Sequence, residues 1–198
     1  MKKLMFMAAL MLSSVATYAQ QAVGTWSIQP KAGITIANLT GDVDNNDAKV
    51  GFVGGAELEY QATDMISVTG GLLYSMQGSK FGEVKNNIDY LNIPVLCNVY
   101  VAKNLAVKLG AQFGFKVRED IDTGNNAFDK VVDIVKGDAD AYNTFDFSIP
   151  VGLSYEYSNV VLDARYNWGV TNIAKDAPKD FKVHNSVFQI TLGYKFNL

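Results

Sequence analysis

The chain has 198 residues and a formal net charge of −3, from 17 basic and 20 acidic side chains. An acidic balance with no basic run offers no electrostatic footprint for nucleic acid, and a single cysteine, Cys97, excludes an internal disulfide. Hydrophobic residues make up 48% of the chain, yet past residue 19 no run approaches the ~18 unbroken apolar residues of a spanning helix.

The first stretch, "MKKLMFMAALMLSSVATYAQ", has two lysines, an apolar run from Leu4 to Leu12, and small or polar residues up to Ala19. This is the pattern of a secretory signal peptide cut after Ala19. The apolar run is far shorter than the ~20 residues of a membrane anchor. No cysteine follows it to take a lipid. Residues 20–198 are then expected to form one domain, whose net charge falls from −3 to −5 with the loss of Lys2 and Lys3.

That domain alternates apolar and polar residues eight times. Trp26, Ile28, Ala32, Ile34 and Ile36 stand against Ser27, Gln29, Lys31, Gly33 and Thr35. Phe52, Gly54, Ala56, Leu58 and Tyr60 stand against Val53, Gly55, Glu57 and Glu59. Ile66, Val68, Gly70, Leu72, Tyr74 and Met76 follow, against Ser67, Thr69, Gly71, Ser75 and Gln77. The fourth segment is less clean, with Leu91, Ile93, Val95, Cys97 and Val99 opposite Tyr90, Asn92, Pro94, Leu96 and Asn98. "LAVKLGAQFGFKVR" (105–118) puts seven apolar residues on one parity and lysines mixed with glycines on the other. Phe145 to Tyr157, Leu162 to Trp168 and Phe188 to Phe196 complete the set. Period-two alternation over such lengths marks strands with one apolar face.

The connections alternate as well. Residues 61–64, 102–104 and 158–159 are short, whereas 38–49, 79–87, 119–144 and 170–185 are longer and polar. Short turns on one rim and long loops on the other are the plan of an outer-membrane barrel with both termini on the periplasmic side. Aromatic residues bracket an aliphatic centre in the sixth strand (Phe145, Phe147; Tyr155, Tyr157) and the eighth (Phe188; Tyr194, Phe196), as membrane interfaces favour. The expected fold is therefore all-β: an eight-stranded antiparallel up-and-down transmembrane β-barrel, its apolar face in lipid. Pro94 and Pro150 lie inside strands on the inward parity and read as bulges, because proline removes a ladder donor.

Inward parity collects Lys31, Lys108, Lys116, Arg118, Arg165 and Lys195 against Glu57, Glu59, Asp146, Glu156 and Asp163. An eight-stranded interior is just wide enough for side chains to fill. Opposite charges confined there are expected to pair. The favoured reading is a salt-bridged plug near the periplasmic half built from Lys31, Glu57, Glu59, Lys108, Glu156, Asp163, Arg165 and Lys195; the alternative is an ion-selective lumen.

Nothing outside the wall specifies catalysis. "GDVDNND" sets Asp42, Asp44 and Asn46 at calcium-loop spacing, but Asp47 replaces the required glycine and Val53 the bidentate glutamate. His184, the only histidine, is near Ser186 without an orienting acid, so no triad is specified. Cys97 faces lipid and reads as a small hydrophobe. No cofactor, metal or catalytic residue is expected. Loop 119–144 carries Phe128, Val131, Val132 and Val135 at helical spacing. Its short amphipathic helix is either a lid over its own barrel mouth or a docking surface for a protein partner.

Four stretches, "GLLYSMQGSK" (71–80), "YLNIPV" (90–95), "LDARYNWGVTNI" (162–173) and "TLGYKF" (191–196), resemble the PorT-like outer-membrane β-barrel domains, a group of small porin-family proteins. The resemblance spans nearly all of residues 20–198 and rests on the order and spacing of the pieces. It implies the same eight-stranded barrel. It also implies, as an alternative to a structural or interaction role, an accessory subunit of an outer-membrane secretion or transport system. No catalytic set comes with it. The closing "TLGYKFNL" resembles the signal read by the barrel-assembly machinery, although it ends in Leu198 and not in an aromatic residue.

Intact mass of the protein extracted from outer membranes should correspond to a chain beginning at Gln20. Retention of Met1 would overturn the export signal.

Overall fold

The computed structural model describes residues 21–42, 47–81, 84–122, 142–174 and 181–198. The expected signal segment and the helix of Phe128, Val131, Val132 and Val135 lie outside the described residues. The strands are β1 (Trp26–Gly41), β2 (Asp47–Gln61), β3 (Ile66–Phe81), β4 (Val84–Ala102), β5 (Leu105–Asp122), β6 (Phe145–Tyr157), β7 (Val160–Gly169) and β8 (Val183–Tyr194). After Lys195, β8 resumes as a two-residue segment, Phe196–Asn197, still paired with β1. Each strand pairs antiparallel with its neighbours in sequence, and β1 pairs with both β2 and β8. The sheet is a closed eight-stranded barrel with no free edge, which is what a membrane demands of backbone polar groups.

Closure is staggered. Thr35 pairs with Gly51 on β2 and with Gln189 on β8. Followed the other way round, through Gln189, Arg165, Gly152, Lys108, Asn98 and Ser67, the ladder returns to β2 at Gln61. The offset of ten residues (51 to 61) tilts the strands and fixes a narrow interior.

The turns are built by the residues that tolerate left-handed backbone. Ser158 and Asn159 have φ of 46° and 71°, the two-residue primed turn that matches strand twist. Asn104, at φ 69°, closes β4 to β5. Facing directions follow the alternation strand by strand. Val53, Leu73, Leu96, Thr35 and Gln189 are buried inside, while Phe52, Leu72, Val95, Leu109, Val151 and Leu192 are exposed outside. Aromatic contacts gird the wall at two heights. Phe113 meets Phe147 at 5.5 Å and Phe115 meets Phe145 at 5.7 Å, while Trp26–Tyr60 (4.8 Å) and Tyr194–Phe196 (4.7 Å) lie toward the turn end.

Three expectations are corrected. Pro94 and Pro150 make no bulge. Register is the same on both sides of each: Gly70↔Val95 and Leu73↔Asn92 around Pro94, Leu109↔Val151 and Gln112↔Ser148 around Pro150. Each proline interrupts the ladder toward one neighbour and pairs normally with the other, Pro94 with Gln112 and Pro150 with Asn167. A missing N–H removes one bond without requiring an extra residue. Pro30 does the same in β1, where the ladder to β8 breaks between Ile28↔Phe196 and Lys31↔Gly193.

Second, the segments 38–49 and 79–87 are mostly strand, since β1 runs to Gly41 and β3 and β4 are joined by residues 82–83 alone. Third, Arg118 is not an interior charge. Between Tyr90↔Lys116 and Asp89↔Arg118 the register shifts by one residue of β5, which resets the facing direction. Arg118 stays exposed and pairs with Asp120 at 2.7 Å.

The loop end is capped. Residues after β7 fold inward, burying Ile173 completely against Leu39 and Val183, with Tyr142 and Ala174 beside them. Asn172 pins this cap, its Oδ1 accepting from the N–H groups of Ala174 (3.1 Å) and Val183 (2.9 Å).

An arginine on the outer face at mid-wall tests the membrane reading. Leu109→Arg should cost about 2–4 kcal/mol in reversible folding into lipid vesicles, whereas Val117→Arg, beyond the upper aromatics, should cost about 0–1. Equal costs would contradict this placement.

Candidate functional site

The half of the lumen nearest the tight turns is filled by charge. Arg165, on β7, is 1% exposed and grips Asp163 with two donors, Nε to Oδ1 and Nη2 to Oδ2, both at 2.9 Å. Its guanidinium also reaches across the barrel to Glu57 on β2, with Nη1 3.0 Å from Oε1. Lys31 from β1 bridges the same carboxylates, 2.9 Å from Glu57 and 3.4 Å from Asp163. Lys108 from β5 completes the cluster, donating to Asp163 Oδ2 at 2.6 Å. Three cations share two carboxylates here.

One step toward the turns, the ratio reverses. Lys195 donates to Glu156 at 2.6 Å and lies 2.9 Å from Glu59. Glu59 Oε1 also accepts from Ser67 Oγ (2.6 Å) and Tyr100 Oη (2.7 Å). The two clusters together hold four cations and four carboxylates, so the half-lumen is neutral as a whole. All eight charges named from the sequence are brought together, from β1, β2, β5, β6, β7 and the end of β8.

Glycines make room for these long side chains. A Cβ on Gly71 would come within 2.6 Å of Glu57 Cγ, and one on Gly152 within 2.7 Å of Arg165 Cβ. Both positions face inward, where any larger residue would displace a member of the network.

Sequence reasoning missed Tyr100 and undervalued Ser67. The inward parity of β4 runs on from Asn98 to Tyr100, which was the available signal. Asn98 Nδ2 extends the network, donating to Ser67 Oγ (2.9 Å) and Thr69 Oγ1 (2.6 Å). The remaining inward charges lie apart. Lys116 Nζ donates to Glu119 (2.6 Å) and to the Tyr142 carbonyl (2.7 Å). Asp146, in the loop-end half, accepts from Thr171 and Asn185. His184 Nδ1 sits 2.9 Å from the Thr171 carbonyl, and Ser186 Oγ meets Tyr166 Oη at 2.6 Å, so the two do not face one another as base and nucleophile. No group of three or more acidic, histidine or cysteine side chains suited to a metal occurs among the described residues. Of the acidic loop, Asp42 Oδ2 accepts from the Lys182 N–H at 2.8 Å; residues 43–46 lie outside the described residues.

Comparison with known proteins agrees with this architecture. The sequence profile of a family described as "Outer membrane protein beta-barrel domain" matches residues 5–196. Among solved structures, the chain is similar to neisserial surface protein A (NspA), at 16% identity with a TM-score of 0.56, covering 86% of this chain and 97% of that one. It is likewise similar to Ail, the attachment invasion locus protein of Yersinia pestis, at 16% identity with a TM-score of 0.50, covering 88% and 99%. No curated protein sequence matches it.

Breaking the buried network should be expensive where breaking an exposed pair is not. Arg165→Ala leaves Glu57 and Asp163 short of a partner and should lower stability by about 3–5 kcal/mol in urea titration, whereas Arg118→Ala should cost about 0–1. Gly152→Val should destabilise as well, by displacing Arg165. Indifference to Arg165→Ala would show that the charges are separately hydrated.

Proposed function

Because this chain belongs to the outer membrane protein β-barrel domain family, we propose that it serves the outer membrane as a structural or interaction protein with a closed lumen, and that it carries no enzymatic activity. One observation carries the reading: four buried cations meet four carboxylates, Glu57, Glu59 and Asp163 buried and Glu156 half-buried, in the turn-end half of the interior. A conducting pore needs hydrated space and a bias toward one sign of charge. A balanced network of directly paired charges supplies neither. The inward-folded residues around Ile173 add an apolar obstruction at the other end.

In this proposal the first 19 residues direct export, the short turns face the periplasm, and the barrel-assembly machinery inserts the chain by its C-terminal strand. The outer wall is a lipid-solvated surface. Partners, where they exist, approach from the loop end, including the segment 119–144. An accessory place in a secretion or transport system, as PorT has, rests on the four resembling stretches alone.

Planar-bilayer recording tests the closed lumen. The purified protein should give no steady conductance, and neutralising Arg165 or Lys108 should introduce current only together with loss of stability. A steady current from the intact protein would replace the plug with a narrow channel. Gentle detergent pull-down of tagged protein from native outer membranes, read by mass spectrometry, tests the role. A stoichiometric partner would move the reading to a machine component, and a bare barrel would support the structural one.

A further inference from the structure

The loop-end half of the lumen is not balanced as the turn-end half is. Asp146, on β6, is only 6% exposed, and no lysine or arginine among the described residues forms an ion pair with it. Its two oxygens are met by neutral donors: Oδ1 accepts from Thr171 Oγ1 at 2.7 Å and Oδ2 from Asn185 Nδ2 at 2.8 Å. The nearby cations are engaged elsewhere, Lys116 on Glu119 and the Tyr142 carbonyl, Lys49 on the Gln77 carbonyl at 2.9 Å. A buried carboxylate without a counter-charge is costly.

Around it stand buried oxygens with no hydrogen-bond partner: Asn185 Oδ1, in a residue 2% exposed, and, one ring toward the turns, Gln112 Oε1 and Asn167 Oδ1, at 4% and 3%. The Tyr90 hydroxyl, fully buried, is met by the Asn185 side chain. Tyr90 lies within electrostatic reach of Asp146. Gly114, the register partner of Asp146, lets these polar groups close up on one another: a Cβ there would lie 2.8 Å from Asn92 Oδ1, 3.3 Å from the Tyr90 ring and 3.4 Å from the Asp146 carbonyl oxygen.

We propose that Asp146 anchors a monovalent-cation site in the loop-end half of the barrel, with Tyr90 Oη and Asn185 Oδ1 as neutral donors and Gln112 Oε1 and Asn167 Oδ1 beneath. Oxygen donors of this kind suit hard cations and not soft transition metals. One formal charge suits a singly charged ion, since calcium sites gather several carboxylates. The ion supplies the missing positive charge, and through Thr171 it bears on the cap.

The test uses the purified, folded barrel in detergent at constant ionic strength. Sodium or potassium chloride should raise the unfolding temperature saturably above N-methylglucamine chloride, and the barrel should broaden the sodium-23 resonance. Asp146→Asn should weaken the apparent affinity at least about tenfold, since ligand charge sets affinity at such sites; Arg118→Ala should leave it unchanged. Where Asp146→Asn does not fold, Tyr90→Phe removes only the hydroxyl and should weaken binding roughly threefold to tenfold. A wild-type barrel indifferent to the identity of the cation, or variants that bind as tightly as wild type, would overturn the site and leave a pocket of water alone.

Discussion

The staggered seam between β1 and β8 is the constraint from which the rest follows. Joining the ends of the sheet removes every unpaired edge, and the ten-residue offset fixes how far apart the walls stand. Eight strands at that stagger leave no room for bulk water around long charged side chains. Lys31, Lys108, Arg165 and Lys195 point inward because their strands alternate. Once inward they meet Glu57, Glu59, Glu156 and Asp163, because there is nowhere else to go. The outer face is set by the same geometry: between the two aromatic girdles, the residues that do not point into the lumen face lipid.

A network of this kind is poor evidence for extra stability. Taking seven charges out of water, with Glu156 half-buried beside them, costs several kcal/mol each, and their mutual attraction does little more than offset it. What the network supplies is geometry. Arg165 holds Asp163 on its own strand and Glu57 across the barrel; Lys195 ties the end of β8 to β2 and β6. A strand slipped by one residue would turn these charges into lipid, so they penalise every wrong register. The proline positions fit this account. Pro94 and Pro150 can give up a ladder bond without a shift in pairing because the register is fixed by what lies inside.

Much of this can be read from the sequence, and the reasons are local. A period of two is indifferent to tertiary context, so facing directions follow from alternation wherever the pairing register is unbroken. Parity also places eight charges on one face, and confinement then brings them into contact. The extramembrane ends were harder. Residues 77–81 and 84–90 scatter Phe81, Val84, Ile88 and Tyr90 among polar residues without a clean alternation, yet backbone pairing carries β3 and β4 through. Register shifts near Asp89 and between Ala48 and Val53 also reset parity without any signal in composition, which is how Arg118 was misplaced and Asp89 came to be buried. The Ile173 cap was invisible for a different reason: it depends on a contact between Leu39, Ile173 and Val183, far apart in sequence.

The extension of β3 and β4 beyond the aromatic girdle, joined by residues 82–83 alone, bears on how the molecule is met from outside. With the short turns in the periplasm, as proposed, this end faces outward, and its described residues in β3 and β4 are hydrogen-bonded sheet. An antibody or receptor that grips this rim binds a surface composed of side chains from neighbouring strands, which a short linear peptide cannot reproduce. Immunisation with peptides from residues 77–90 would then raise sera that recognise the boiled protein on a blot and ignore the living cell.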